Sequence, residues 1–335
     1  MNPGEPKRYL ITGGAGFIGS HLAELLLAGG ARVTALDDLS SGSRDNLAGF
    51  SRHENFQFVR ASLANAVTLD RLVSQVDAVI HLAAAVGVRM IVERPVHTIE
   101  TNVMGTEFVL KAALRYGARV LIASTSEVYG KGSRIPFAED DDVLLGATSR
   151  SRWSYAASKM VDEFLGLAYH AEFGLEVIPF RLFNTVGPRQ TGRYGMVIPR
   201  FVQRALANEP LEVHGDGEQS RCFCDVRDVV AAIAGLAKHP AAPGRVFNIG
   251  GKEEIGIAAL ARRIIARCGS NSGIKLVPYD EAYPQGFEDM RRRAPDCTRI
   301  EALLGWKPRR ELDEILDGVI AFERERLSLA KEPGR

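Results

Sequence analysis

Tyr155 and Lys159, in the run Tyr155-Ala156-Ala157-Ser158-Lys159, have the types and the spacing to take a proton from an alcohol. Residues four apart share one face of a helix, so the ammonium stands near the phenol. A positive charge there lowers the phenol's pKa and lets it act as a base near neutrality. Just past an apolar, β-branched run, Ser124-Thr125-Ser126-Glu127-Val128-Tyr129-Gly130 adds hydroxyls and a carboxylate. The tyrosine–lysine spacing alone is common by chance. With hydroxyls and an acid arriving from a second element it describes oxidation of an alcohol.

A third segment supplies a place for the electrons to go. Tyr9-Leu10-Ile11-Thr12-Gly13-Gly14-Ala15-Gly16-Phe17-Ile18-Gly19-Ser20-His21-Leu22 reads as a strand, a glycine turn and a helix start. Gly14, Gly16 and Gly19 satisfy G-x-G-x-x-G, and Gly13, Gly16 and Gly19 recur every three residues. Such glycines permit positive φ and let backbone N–H groups at a helix N-terminus approach a pyrophosphate. The next apolar run ends in Asp37, whose carboxylate can accept hydrogen bonds from both hydroxyls of an adenosine ribose. The same charge repels the 2′-phosphate of NADP, so NAD is the expected cofactor, and Arg44 reads as a solvated loop residue. The positive nicotinamide ring would join Lys159 in lowering the pKa of Tyr155.

The elements that position these groups alternate. Candidate strands are residues 9–12, 32–37, 56–61, 78–82, 120–124 and 176–181, with candidate helices at 18–28, 68–75, 96–116 and 154–173 between them. Six βα units in series imply an α/β fold, a Rossmann-like doubly wound parallel sheet that binds ligands beyond the carboxyl ends of its strands. From about Thr185 the rhythm breaks at Gly187-Pro188-Arg189-Gln190-Thr191-Gly192-Arg193. Helices expected at 196–207, 226–238, 257–268 and 312–326 read as a smaller lobe laid on the sheet. The expected division is a dinucleotide-binding domain over 1–184, with parts of 225–250, and a substrate-binding lobe mainly over 185–330. The tail from Leu329 reads as frayed.

Composition removes other classes. Lys plus Arg is 42 and Asp plus Glu 41, a net charge of +1, which gives no broad surface for nucleic acid. The best apolar run, residues 78–88, is interrupted by His81 and too short to span a bilayer, and no signal core precedes it, so a cytoplasmic protein with no membrane contact is expected. The four cysteines, Cys222, Cys224, Cys268 and Cys297, lack zinc or redox spacing, and no metal is expected. Glycine, at 33 of 335 residues, exceeds the usual share of about 7% and concentrates at turns of the kind just described.

Together these motifs resemble the extended short-chain dehydrogenase/reductase family of nucleotide-sugar epimerases, dehydratases and decarboxylases. The resemblance covers nearly the whole chain and adds His81-Leu82-Ala83-Ala84, Arg181-Leu182-Phe183-Asn184, Gly187-Pro188-Arg189 and Asn248-Ile249-Gly250. It implies a tightly held NAD that takes a hydride from C4 of a sugar, followed by chemistry on the 4-keto sugar. Gly13, Gly16, Phe17, Ile18, Gly19, Asp37, Leu82, Ala83 and Ala84 would hold the cofactor with Tyr155 and Lys159. Thr125 would bond the C4 oxygen, Tyr155 would be the base, and Lys159 would bind the ribose. Asn184, Arg193, Leu211, Val213, Arg221 and Arg293 would hold the nucleotide sugar. His81 and Asp228 read as structural.

Within that family the residues after Thr125 direct the product. The 4,6-dehydratases carry Asp-Glu there and the 4-epimerases small or hydroxyl residues, whereas Thr125-Ser126-Glu127 resembles the UDP-glucuronate decarboxylases. Segments 151–156 and 286–296 resemble them too, the second aligning Arg293, although 4-epimerases also show R-x-x-D there. The implied reaction converts UDP-glucuronate to UDP-xylose or the 4-keto-pentose, with Ser126 and Glu127 handling the C5 proton and Arg293 the carboxylate or phosphate. The alternatives are a UDP-hexose or UDP-uronate 4-epimerase, an NADP-linked reductase of free ketones, disfavoured by Asp37, and a non-catalytic NAD-binding regulator. The family further implies a homodimer joined through helices 96–116 and 154–173 as a four-helix bundle.

Overall fold

The computed structural model describes residues 7–87, 93–192, 196–283, 288 and 290–331. Six short apolar runs form strands β1 (Arg8–Thr12), β2 (Arg32–Asp37), β3 (Phe56–Arg60), β4 (Ala78–His81), β5 (Arg119–Thr125) and β6 (Val177–Leu182). Those at the centre are buried on both faces, as a parallel sheet covered by helices requires. The crossovers run through α1 (Phe17–Ala28), α2 (Ala66–Val73), α3 (Pro95–Tyr116) and α4 (Ser154–Phe173).

The chain then leaves the sheet and comes back. After β7 (Thr185–Val186), α5 (Val197–Leu206), β8 (Leu211–His214), β9 (Ser220–Cys222) and β10 (Cys224–Asp225), helix α6 (Val226–Lys238) leads into β11 (Phe247–Ile249), which pairs parallel with β6. The sheet is thus seven-stranded, in the order β11-β6-β5-β4-β1-β2-β3. Helix α6 packs on α1 and shares the core of the sheet, so helix 226–238 does not lie on the smaller lobe; it falls in the 225–250 segment expected to belong in part to the dinucleotide-binding domain. A strand of three residues is too short to announce itself by pattern.

The remaining elements are β12 (Glu254–Gly256), α7 (Ile257–Cys268), β13 (Ile274–Val277), α8 (Tyr279–Ala282), β14 (Arg292–Arg293), α9 (Thr298–Leu304) and α10 (Leu312–Lys331). Helix α10 continues past the expected end at 326. Strand β13 pairs with β8, and β9 pairs with both β12 and β14. A separate core of Phe201, Val202, Leu211, Val213, Leu260, Ile264 and Leu316 holds this region together.

Between β1 and β4 the strand order reverses, which opens a crevice at the carboxyl edge. Helix α4 borders it, and that helix is anchored by charge. Arg181 on β6 grips Glu163 through Nε and Nη2 at 3.0 and 2.7 Å, and the Ser124 hydroxyl donates to the same carboxylate. The Arg181 guanidinium also lies 4.7 Å above the Tyr129 ring, whose hydroxyl donates to Asn248 on β11 at 2.8 Å. Removing one partner of a buried pair leaves the other charge uncompensated, at a cost of about 3–5 kcal/mol. Glu163→Gln should therefore lower unfolding free energy by roughly that amount in urea titrations, and an unchanged midpoint would show that the pair anchors nothing.

Candidate active site

The turn after β1 is built for close approach. Gly13 has φ +70°, and a Cβ on it would sit 2.9 Å from the Ala83 nitrogen. A Cβ on Gly19 would sit 2.3 Å from the Gly13 oxygen, so only glycine lets α1 start this near the strand. No side chain caps α1, and its first N–H groups open toward the crevice. At the end of β2, Asp37 accepts from Ala15 N–H at 3.0 Å and from Leu39 N–H at 2.8 Å. Burial raises its pKa while those amides pull the other way. A carboxylate has about four acceptor sites, so both oxygens can still receive ribose hydroxyls. Arg44 lies over the Phe58 ring at 5.4 Å. These residues fit a dinucleotide.

The turn opens into a cleft of about 460 Å³ that collects most of the expected site. Gly13, Gly16, Phe17, Ile18, Gly19, Asp37, Leu82, Ala83 and Ala84 line one end, and Thr125, Ser126, Glu127, Tyr155 and Lys159 its middle. Asn184, Arg221 and Arg293 line the far end. Leu211 and Val213 do not face it. They are fully buried in the core of the lobe, and the alternation of a strand turns Glu212 and His214 to the cleft instead. Arg193 lies outside the described residues. Asn184 donates to the Cys222 carbonyl at 2.9 Å and accepts from Arg293, and Arg221 donates to the Met290 carbonyl at 2.8 Å.

Thr125 and Tyr155 both line the middle of the cleft, where the Thr125 hydroxyl works against the rise in the pKa of the phenol. The phenol is not made more acidic by the fold, contrary to what its four-residue spacing from Lys159 predicts. Burial, then Glu127, raises the pKa of Tyr155 above that of an ordinary tyrosine, with Asp162 adding to the rise. Lys159 does not relieve it, because its ammonium is 2.7 Å from Asp162 Oδ2 in a fully buried pair. The lowering influence expected of a positive nicotinamide is separate from this protein-only balance.

Glu127 lies between two guanidiniums. Arg152 Nη1 is 2.5 Å from Oε2 and Arg293 Nη1 is 3.4 Å from Oε1. Burial works to raise the pKa of Glu127, but the arginines outweigh it and hold the carboxylate ionised below its usual range. Ser126 Oγ beside it is buried with no hydrogen-bond partner in the protein, a polar atom left for a ligand. Sequence reading missed Arg152, since an arginine three residues before the tyrosine looks like a solvated residue until the loop folds back on β5. It also missed the far wall, where the His214 ring nitrogen and the Tyr283 hydroxyl are 3.0 Å apart and Tyr279 stacks on Tyr283. His81 is satisfied on both ring nitrogens, by Thr12 at 2.7 Å and Thr106 at 3.2 Å. Asp228 accepts from the Arg309 and Arg310 amides at 2.9 and 3.1 Å, a structural role. Among the described residues no group of side chains could hold a metal ion.

Sheet order, glycine turn and the Thr125–Tyr155–Lys159 set define a nucleotide-sugar-modifying protein of the extended short-chain dehydrogenase/reductase type. Residues 10–319 match the family model described as GDP-mannose 4,6 dehydratase, and the chain belongs to that family. Among its relatives, the UDP-N-acetyl-alpha-D-glucosaminuronate decarboxylase of Bacillus cytotoxicus is 43% identical, over 95% of this chain and 98% of its own length. The UDP-glucuronic acid decarboxylase 1 of Xenopus tropicalis is 36% identical, over 96% and 73%. Of solved structures, an epimerase from Methanothermobacter thermautotrophicus superposes with a TM-score of 0.89 at 28% identity, over 98% of this chain and 95% of its own. The dTDP-glucose 4,6-dehydratase of Streptomyces venezuelae, solved with NAD, gives 0.86 at 32%, over 96% and 98%.

Replacing Asp37 by Asn keeps one of the two amide contacts, since the new NH2 cannot accept, and removes the charge facing a 2′-phosphate. The preference for NAD over NADP, read as a ratio of dissociation constants by fluorescence titration, should fall about tenfold, one step of 1.4 kcal/mol. A preserved ratio would place cofactor choice elsewhere.

Proposed function

We propose that this chain is a NAD-dependent decarboxylase of UDP-glucuronate, forming UDP-xylose through a 4-keto intermediate. The observation that carries the reading is Glu127, ionised between Arg152 and Arg293 at the middle of the cleft. A 4,6-dehydratase needs an acid to protonate a leaving hydroxyl. Ser126 is too weak an acid, and a carboxylate held ionised by two arginines is no donor either. A UDP-hexose 4-epimerase turns over a neutral ketone and has no use for this cluster, and a UDP-uronate 4-epimerase moves no proton at C5. A substrate carrying a carboxylate at C6 does, because Arg293 can bind that group while Arg152 stays on Glu127.

The steps follow from the side chains. Tyr155 takes the C4 hydroxyl proton, with Thr125 orienting the oxygen and Lys159 beside the base. When bound, NAD supplies the acceptor for the C4 hydride and gives it back at the end. The C4 ketone is then β to the carboxylate, so the C5–C6 electron pair falls into an enolate as CO2 leaves. Thr125 and Tyr155 hydrogen-bond the developing oxyanion, a preorganised stabilisation. C5 takes up one proton from a solvent water that Ser126 and the ionised Glu127 orient, and Tyr155 returns the other to the C4 oxygen. UDP-glucuronate plus one proton gives UDP-xylose plus CO2. A second reading, a substrate with a 2-acetamido group, is favoured by the 43% identical relative; the same residues act on C4 to C6 in both.

The cofactor-binding domain is taken as 1–184 with the returning α6 and β11, and the substrate lobe as the rest. Homodimerisation is part of the proposal. Val96, Ile99 and Met104 on α3 and Val161 and Phe164 on α4 are exposed, Phe164 by 65%, and these two helices lie side by side. Phe164 therefore does not serve its own core, and a second copy of the pair would cover it. All four cysteines are free thiols, which supports a reducing, cytoplasmic location. No helix among the described residues is long and apolar enough to cross a membrane.

Glu127→Gln should cut CO2 release from UDP-glucuronate at least about a hundredfold, in the range of a lost acid–base group, while Tyr155→Phe should abolish the absorbance of reduced cofactor on mixing with substrate. Full CO2 release by the first, or retained reduction by the second, would remove the corresponding role. Light scattering at micromolar concentration should give a dimer for the wild type and a monomer for Phe164→Asp; a monomeric wild type would refute the dimer.

A further inference from the structure

Helix α4 buries an acid for which the reaction steps have no use. Asp162 lies three residues beyond Lys159 on the same face, fully buried, with Oδ2 2.7 Å from Nζ. Its Oδ1 is buried with no hydrogen-bond partner in the protein; burial raises the acid's pKa, and Lys159 and the Thr106 hydroxyl of α3 work to lower it. That hydroxyl ends a chain that starts at the glycine turn. The Ala83 N–H donates to Thr12 Oγ1 at 3.2 Å, and Thr12 Oγ1 is 2.7 Å from His81 Nδ1. His81 Nε2 in turn is 3.2 Å from Thr106 Oγ1. His81 is neutral, so one of its ring nitrogens donates and the other accepts. Burial and the Lys159 charge lower its pKa to about 3.

We propose that Asp162 is a positioning residue for the catalytic pair: it tethers the Lys159 ammonium, offsets its charge, and thereby sets the pH at which Tyr155 becomes a base. The inference rests on the reading of Tyr155 as that base. The charged groups facing Tyr155 are Glu127 beyond β5, Arg293 on β14, and Lys159 and Asp162 on its own helix. Those facing Asp162 are Lys159 and Glu163 on α4, with neutral His81 behind Thr106. Arg152 is engaged with Glu127. Of these, Asp162 alone touches the ammonium, so it decides how much of that charge reaches the phenol. Without the acid, the ammonium's field would favour the phenolate, and Tyr155 would lose its proton at lower pH.

Two readouts test this. The first is the pH profile of cofactor reduction in a single turnover with UDP-glucuronate, for wild type, Asp162→Asn and Asp162→Glu. The acid limb should move down by half a pH unit or more in Asp162→Asn, about threefold in rate at a fixed acid pH, and stay in place in Asp162→Glu. The second uses no cofactor. 3,5-Difluorotyrosine placed at 155 and followed by fluorine NMR should titrate at lower pH in Asp162→Asn than in the wild-type background. Thermal melts check that each variant folds, and Asp162→Ser replaces an Asn variant that does not. An unmoved limb and an unmoved fluorine titration would overturn the proposal, as would equal shifts in Asn and Glu. A wild type that reduces no cofactor with UDP-glucuronate would refute the substrate reading; the fluorine titration would still decide the role of Asp162.

Discussion

A helix that buries Tyr155, Ser158, Lys159, Asp162 and Glu163 on one face has to find a partner for each of them, and that demand organises the protein. Burying charge without a partner costs several kcal/mol, so α4 can dock in one way only. Glu163 must meet Arg181 on β6, Lys159 must meet Asp162, and Ser158 accepts from Asn102 on α3 at 3.0 Å. Those contacts fix α4 against β5, β6 and α3. They leave Tyr155 at the helix start, against Thr125 at the end of β5. The base and the hydroxyl that orients the oxygen are thus placed by interactions made one to two turns away.

The same logic of paired charge runs through the cleft. Near-zero net charge for the chain is compatible with a polyanionic substrate because binding is local: helix N–H groups at the glycine turn, Arg221 at the far end, and Arg293 shared between Glu127 and Asn184. Arg152 and Arg293 are not equivalent. Arg152, with a side chain 4% exposed, is committed to Glu127 at 2.5 Å, whereas Arg293 holds the other oxygen at 3.4 Å. Of the two contacts to Glu127, a substrate carboxylate would compete with the looser one. This asymmetry ties the family-level oxidation to loss of CO2.

Much of this was legible in the sequence because its signals are local. Glycine spacing, a strand ending in Asp37, the Thr125-Ser126-Glu127 triplet and the Tyr155–Lys159 spacing each sit within one turn or one strand end, where a residue's neighbours in sequence are its neighbours in space. What the sequence hid is long-range. Arg152 meets Glu127 across 25 positions and His214 meets Tyr283 across 69. β11 is only three residues long, and α6 joins the sheet's core by tertiary packing against α1. Leu211 and Val213 went astray by one register step, since alternate residues of a strand face opposite ways. The acidity of Tyr155 was misjudged because the phenol's burial beside Glu127 does not show in the sequence, and Asp162, three residues past Lys159, reads as a surface acid until its own burial is known.

The account stands or falls on the fate of C6. UDP-glucuronate incubated with the protein and NAD in deuterated buffer, with the product examined by mass spectrometry and proton NMR, follows it directly. The account predicts a UDP-pentose that has lost CO2, keeps the C4 configuration and carries one deuterium at C5. A product that retains C6, with C4 inverted and no deuterium at C5, would contradict it and make the protein an epimerase.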